Sequence, residues 1–206
     1  MSRSKSSHRW LQEHFQDEYV KRAKSQGLRS RAVFKLMEIQ ERDRLLKPGM
    51  TVLDLGAAPG GWSVYARQMV GKKAKVIALD MLPMEAIPGV DGIVGDFRDD
   101  EVLEQLYRLL DGIGIDIVLS DMAPNISGNR EVDQPRAVYL AELALDTART
   151  VLTGQGNFLV KVFQGEGFDT FLQEVRQSFT KVLIRKPKAS RSRSNEVYIL
   201  GLGFKK

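Results

Sequence analysis

The chain has 206 residues, 43% of them hydrophobic and 28% charged, with a formal net charge of +5 and no cysteine. A length and composition of this kind suit one globular α/β domain that buries most of its unfolded surface. The lack of cysteine excludes disulfides, thiolate zinc sites, iron–sulfur clusters and a thiol nucleophile, and no apolar run approaches the roughly 20 residues that cross a bilayer.

The opening residues, MSRSKSSHRW, are basic and lack the apolar core of a secretory signal, so a cytoplasmic protein is expected. Arg9 to Lys24 predicts an amphipathic helix with Leu11, Phe15 and Tyr19 along one face. GLRSR interrupts it, Ser30 is placed to cap a second helix, RAVFKLMEIQERDRLL, and KPG ends that helix. Strand patterns follow in TVLDLG, AKVIALD, GIVGD, IDIVLSD and GNFLVKVF. Helical patterns lie between several of them, after Trp62 and over residues 101–110, 135–152 and 168–178. Near-continuous apolar strands separated by helices predict a mostly parallel sheet covered on both faces. The last two strands, KVLIRKP and EVYILGLGF, are joined by KASRSRSN, which has no helical pattern, so they predict an antiparallel hairpin at the sheet's end. One domain is expected over residues 1–206, with a basic helical extension at 1–49 and the core at 50–206.

Charge is unevenly placed. Residues 1–49 hold 12 Lys/Arg against 6 Asp/Glu and residues 181–206 hold 8 against 1, while the middle holds 11 against 19. An acidic centre with basic flanks suits a polyanion gripped from the periphery, although solvated basic termini give the same pattern.

The stretch DLGAAPGGW, Asp54 to Trp62, lies between a strand and a helix, where α/β sheets bind ligands. It is not a Walker loop: Gly56 and Gly61 have the spacing, but Trp62 stands in place of the lysine. It is not the dinucleotide fingerprint either, since Ala58 replaces the second glycine and Pro59 has no N–H for an anion. An acid at its start and few free amides suit a ligand without phosphates, such as S-adenosyl-L-methionine. A plain strand–helix turn would look the same in isolation. The acids on later strands add weight: Asp54, Asp80, Asp96 and Asp121 all fall at or near the carboxyl ends of apolar strands. Asp80 has the position of an acid that takes ribose hydroxyls, and Asp96 could accept from an adenine amino group. Gly56, Gly60 and Trp62 complete the expected cofactor site, and a valine at Gly60 is expected to collide with the ligand.

DLGAAPGGW, SDMAPN, VKVFQGEGF and KPKASRSRSNEVYI together resemble the signature segments of the FtsJ/RrmJ family, and the likeness covers nearly the whole chain. The resemblance implies a Rossmann-like, seven-stranded S-adenosylmethionine-dependent methyltransferase fold. It implies a ribose 2′-hydroxyl as methyl acceptor, on a uridine of large-subunit (23S) ribosomal RNA, with the assembled large subunit as partner. It also implies a catalytic tetrad at Lys35, Asp121, Lys161 and Glu196. The chemistry agrees with those residue types. A ribose hydroxyl needs a positioned base, and the two histidines, His8 and His14, lie far from the strand ends in sequence. Lys161 interrupts the apolar strand NFLVKVF, where desolvation would favour a neutral amine. Lys35 lies beside the helical stripe of Ala32, Leu36 and Ile39. For any one of the four alone, a structural ion pair is the better reading; four drawn from separate segments favour an active site.

Other acceptors fit less well. Covalent C5 methylation of a pyrimidine needs a cysteine, and DMAPN lacks the aromatic residue of amino-methylating loops. The basic loop KPKASRSRSNE, with Lys186, Lys188, Arg191 and Arg193, is expected to grip phosphates, as are Arg29 and Arg31 with Lys5, Arg9, Lys21, Arg22 and Lys24. No metal site, membrane contact or added RNA-reading module is expected, and the protein is expected to be a monomer. Two alternatives remain at this stage: a transfer-RNA ribose methyltransferase, and a non-catalytic RNA-binding factor in ribosome assembly.

Overall fold

The computed structural model describes residues 17–206. The helices are α1 (Glu18–Ser25), α2 (Val33–Asp43), α3 (Gly61–Val70), α4 (Asp100–Leu110), α5 (Arg130–Val151) and α6 (Phe168–Ser178). The strands are β1 (Val52–Leu55), β2 (Val76–Asp80), β3 (Asp91–Val94), β4 (Ile115–Ser120), β5 (Leu152–Phe163), β6 (Phe179–Arg185) and β7 (Glu196–Phe204). They form one seven-stranded sheet in the order β3-β2-β1-β4-β5-β7-β6. β1 to β5 pair in parallel, and β7 inserts antiparallel between β5 and β6. The expected mostly parallel sheet with a C-terminal antiparallel hairpin is the observed one.

Alternation along the strands separates two cores. Leu53 and Leu55 of β1 and Val160 and Val162 of β5 face one core, which α4, α5 and α6 cover with residues such as Leu106, Leu145 and Phe171. Val52, Leu159 and Leu200 face the other, covered by Leu36 and Ile39 of α2 and by Trp62 and Ala66 of α3. Strand order reverses at β1 and β4, with successive connections leading outward on either side. Open α/β sheets bind ligands at such a switch point.

Several boundaries differ from the sequence expectation. The first helix begins at Glu18, with Asp17 accepting the Tyr19 N–H at 3.0 Å; Leu11, Phe15 and the expected start at Arg9 lie outside the described residues. Ser30 does not cap α2. That helix starts after Ala32 without a side-chain cap, while Ser30 packs so closely on Gly61 that a Cβ there would sit 2.6 Å from its Oγ. The same helix stops at Asp43 because Arg44 turns left-handed (φ 50°), which lets Leu45 and Leu46 turn inward and become buried. Tertiary burial outweighs helical propensity there.

Candidate active site

The second core changes character at the carboxyl end of the sheet. Leu159 on β5 belongs to its apolar face, and two residues on the same face is occupied by Lys161. Tyr198 lies opposite Lys161 in the antiparallel pair, and Glu196 lies two residues from Tyr198 on that same face. Ser120 pairs with Val160, so Asp121 follows on β4 next to Lys161. Lys35 arrives from α2, which covers this face.

These four residues meet. Lys161 Nζ lies 3.2 Å from Asp121 Oδ1 and donates to the Asp121 carbonyl at 2.5 Å. Lys35 Nζ lies 2.7 Å from Glu196 Oε1 and 3.9 Å from Asp121 Oδ1. Lys35 and Lys161 are each only 8% exposed. Burial acts to raise the Asp121 carboxyl, but Lys161, Lys35 and the Tyr198 hydroxyl together hold it below its ordinary value. The Tyr198 hydroxyl donates to Asp121 Oδ1 at 2.6 Å, and Lys35 stands 5.6 Å above the tyrosine ring. Burial first, then Asp121 and Glu196, push the phenol well above its ordinary value, so Tyr198 stays a neutral donor. Ser190 donates to Glu196 Oε1 at 2.8 Å. Sequence reasoning missed Tyr198 and Ser190. The first was available from strand period, since Tyr198 lies two residues after Glu196.

Beside this cluster lies a cavity of about 500 Å³, within the range of small-molecule sites. Its lining comes from the ends of β1 to β4: Gly56 and Ala58, Asp80 to Leu82, Asp96 to Arg98, and Asp121 to Ala123. Asp121 therefore belongs to both the cavity and the lysine cluster. Three carboxylates with Met81, Leu82, Phe97 and Met122 suit a ligand that has hydroxyls, amino groups and positive charge. They repel a phosphate.

Asp80 fixes the cavity's shape while lining it: one oxygen accepts the Ala58 N–H and the other the Leu82 N–H, each at 2.8 Å. Asp96 is grasped by Arg98, whose Nε lies 2.9 Å from both oxygens and whose Nη2 bonds Oδ2. Hydrogen bonding from Arg98 lowers the Asp96 carboxyl. Reciprocally, Asp96 and then the Tyr139 hydroxyl raise the Arg98 guanidinium.

Three expected cofactor residues lie outside the cavity lining. Asp54 is buried beneath the loop, with the Ser63 hydroxyl 2.5 Å from its Oδ2. Desolvation pushes its carboxyl up to about 7. Trp62 is a core residue that donates from its indole to the Ala32 carbonyl at 2.9 Å and packs on Tyr198. Gly60 (φ 98°) faces the β2–β3 connection: a Cβ there would stand 2.7 Å from Ile87 Cδ1. The collision expected for a valine at Gly60 is therefore with Ile87 and not with the ligand. Gly56 does line the cavity, and a Cβ there would meet Met122 at 2.3 Å.

Of the expected phosphate contacts, Lys186, Lys188 and Arg193 are exposed on the β6–β7 loop, next to Glu196. Glu38 pins that loop by accepting the Lys188 and Ala189 N–H groups at 2.7 and 2.9 Å. Arg191 is half-buried, 3.8 Å from Asp17. Two expectations need correction. Arg31 pairs with Asp17 and donates to the Ala189 carbonyl. Arg29 donates to the backbone carbonyls of Pro59, Glu85 and Ala86. Both guanidiniums are engaged by groups distant in sequence, a fact no local pattern carries. Lys21, Arg22 and Lys24 are exposed on α1, while Lys5, Arg9, His8 and His14 lie outside the described residues.

A family model described as FtsJ-like methyltransferase matches residues 28–204. The chain belongs to the FtsJ-like methyltransferase family. It is 57% identical over 204 residues to the ribosomal RNA large subunit methyltransferase E of Cellvibrio japonicus (strain Ueda107), covering 99% of this chain and 97% of that one. The identity is again 57% over 204 residues to the protein of the same name from Legionella pneumophila (strain Corby), covering 99% of each. A solved structure described as a ribosomal RNA methyltransferase from Plasmodium falciparum superposes with a TM-score of 0.76 at 28% identity, covering 85% of this chain and 98% of that one. The mostly parallel seven-stranded sheet of this FtsJ-like methyltransferase accords with those likenesses. Among the described residues no helix is long and apolar enough to cross a membrane, and no cluster of His, Cys, Asp or Glu could hold a metal ion.

Proposed function

We propose that this protein transfers a methyl group from S-adenosyl-L-methionine to the 2′-hydroxyl of a uridine ribose in large-subunit ribosomal RNA, in the cytoplasm and on the assembled subunit. The observation that carries the reading is the double membership of Asp121, which joins a carboxylate-lined cavity to a buried pair of lysines. When bound, S-adenosyl-L-methionine supplies an electrophilic methyl on a sulfonium.

Within the cavity, Asp80 is placed to accept from ribose hydroxyls and Asp96 from an adenine amino group, while Met81, Leu82 and Phe97 exclude water. Gly56, without a side chain, lets Met122 pack against the cavity floor. Asp54 and Trp62 support that floor from behind. At the lysine pair, Lys161 Nζ, as the free amine, takes the proton of the attacking ribose hydroxyl and becomes the ammonium. Asp121 orients the amine and receives the growing positive charge at 3.2 Å. Lys35, anchored to Glu196, places a cation where negative charge develops on the ribose oxygen. Tyr198 fixes the Asp121 carboxylate from below. Lys186, Lys188 and Arg193 stand at the rim to hold phosphates, which positions an RNA without reading its sequence.

The test is chemical. A 2′-O-methyl group removes the hydroxyl that attacks the adjacent phosphodiester in alkali. Large subunits incubated with the protein and a methyl-labelled donor should therefore give label in an alkali-resistant dinucleotide that begins with uridine. Label released in mononucleotides, or found on a base, would contradict the reading.

A further inference from the structure

The β2–β3 connection, residues 81–90, forms one wall of the cavity through Met81 and Leu82, which are 65% and 64% exposed. The floor is formed by Gly56 and Ala58, in the loop that runs on through Pro59 to Gly60. Neither is a regular element; Asp80 ties Ala58 of the floor to Leu82 at the start of the wall, and the rest of the connection needs its own support. The connection is tied near its ends: the Leu82 N–H donates to Asp80, the Val90 N–H to the Ile87 carbonyl at 3.0 Å, and Arg67 donates to the Gly89 carbonyl at 3.2 Å.

Its middle is held by Arg29, which reaches over from the α1–α2 connection. Nη1 donates to the Glu85 carbonyl at 2.8 Å and Nη2 to the Ala86 carbonyl at 3.2 Å. The same Nη1 donates to the Pro59 carbonyl of the floor loop at 3.1 Å. One planar guanidinium thus bridges wall and floor. The packing around it is tight, because a Cβ on Gly60 would lie 3.3 Å from Arg29 Nη1 and 3.3 Å from Met84 Sδ. The Glu85 carboxylate contributes little: it is 3.9 Å away and 93% exposed.

We propose that Arg29 is a positioning residue for the cofactor, clamping the β2–β3 connection to the floor loop so that both cavity walls are set before the ligand arrives. The proposal rests on the cofactor reading above and reassigns a basic residue from the RNA surface to the methyl-donor site. The physical reason is preorganisation. Arg offers several donors in a rigid plane, matched here to three carbonyls. Without them, two consecutive carbonyls of the wall lose their partner, and the connection that carries Met81 and Leu82 is held only near its ends. Ligand affinity then falls by the fraction of molecules in the competent arrangement.

Lysine separates the two roles. A phosphate accepts a point charge, so Arg29→Lys would keep most of an RNA contact. A single ammonium cannot span three carbonyls in the plane of a guanidinium, so the clamp would fail. Calorimetry with S-adenosylmethionine on Arg29→Ala and Arg29→Lys should show affinity reduced about tenfold or more in both. The kinetic loss should fall on KM for the cofactor and be recovered at saturating cofactor. Affinity for large ribosomal subunits, and its salt dependence, should match wild type. The proposal is overturned if Arg29→Lys binds the cofactor as wild type does, or if Arg29→Ala keeps cofactor affinity while losing salt-dependent RNA affinity. Should Arg29→Ala melt without a cooperative transition, Arg29→Lys carries the same test. A wild type that binds no S-adenosylmethionine would overturn the cofactor reading itself, and this proposal with it.

Discussion

The ends of β1 and β4 are adjacent parallel strand ends that carry the same residue type in opposite electrostatic states. Asp54 on β1 pairs in register with Leu119 on β4, two residues before Asp121. Asp54 is buried with a serine for company, and desolvation raises its carboxyl to about 7. Asp121 feels desolvation too, but two lysines and a tyrosine hold it below its ordinary value. The sheet supplies both acids; what crosses from the neighbouring elements decides what each can do. A carboxylate without a cation keeps its proton up to near neutral pH and supports the loop. One between two lysines stays charged.

The largest change expected from breaking this contrast is in rate. Lys161→Ala should lower single-turnover methylation by roughly 10²–10⁴-fold, with the calorimetric affinity for S-adenosylmethionine little altered. A rate near wild type at neutral pH would remove Lys161 as the proton acceptor.

Next is the pH dependence of stability at Asp54. Its folded pKa is raised, so between about 4 and 7 the folded state holds a proton that the unfolded state has released. Its contribution to stability therefore falls as pH rises through that window, at roughly 1.4 kcal/mol per unit. Asp54→Asn keeps a neutral partner for Ser63 and should remove the slope. Denaturant titrations at pH 5, 6 and 7 should show the variant gaining on wild type at each step; parallel curves would show that Asp54 is charged in the fold. Asp121 titrates with the opposite sign: its lowered carboxyl gives stability that is present above its ordinary value and lost as pH falls through the folded one.

Tyr198→Phe removes the hydroxyl that donates to Asp121. A hydrogen bond to a charged group contributes about 1.5–3 kcal/mol, so denaturant unfolding should show a loss of that size. An unchanged midpoint would mean that the lysines alone hold the carboxylate. The smallest effect is expected at the rim. Lys188→Ala with Arg193→Ala should flatten the salt dependence of large-subunit binding by about one unit of slope per lost phosphate contact, leaving cofactor affinity as it was. An unaltered slope would take these side chains off the RNA path.

Much of the fold was legible because buried parallel strands are written as apolar runs: IDIVLSD and NFLVKVF could hardly be anything else. Lys161 was legible for the same reason, as a charge inside such a run. Sequence also placed acids at four strand ends, but nothing in the letters separates Asp54 from Asp121. Their difference comes from Lys161 on β5, Lys35 on α2 and Tyr198 on a strand far along the chain. Arg29 and Arg31 looked like an RNA grip since a basic cluster in a connection reads as surface. Apart from the Asp17 carboxylate on Arg31, the partners that hold them are backbone carbonyls as many as 158 residues away, and a carbonyl leaves no trace in composition. Helix ends failed in the same way, with Leu45 and Leu46 drawn into the core where periodicity would have continued α2.

The central claim is that one carboxylate serves both the cofactor cavity and the lysine pair. Asp121→Asn tests it with two readings on the same preparation: calorimetric affinity for S-adenosylmethionine, and single-turnover methylation of large subunits at saturating cofactor. Both should fall together in Asp121→Asn, while Lys161→Ala loses the rate alone. An Asp121→Asn protein that loses rate with cofactor affinity intact, or affinity with the saturated rate intact, would contradict the account.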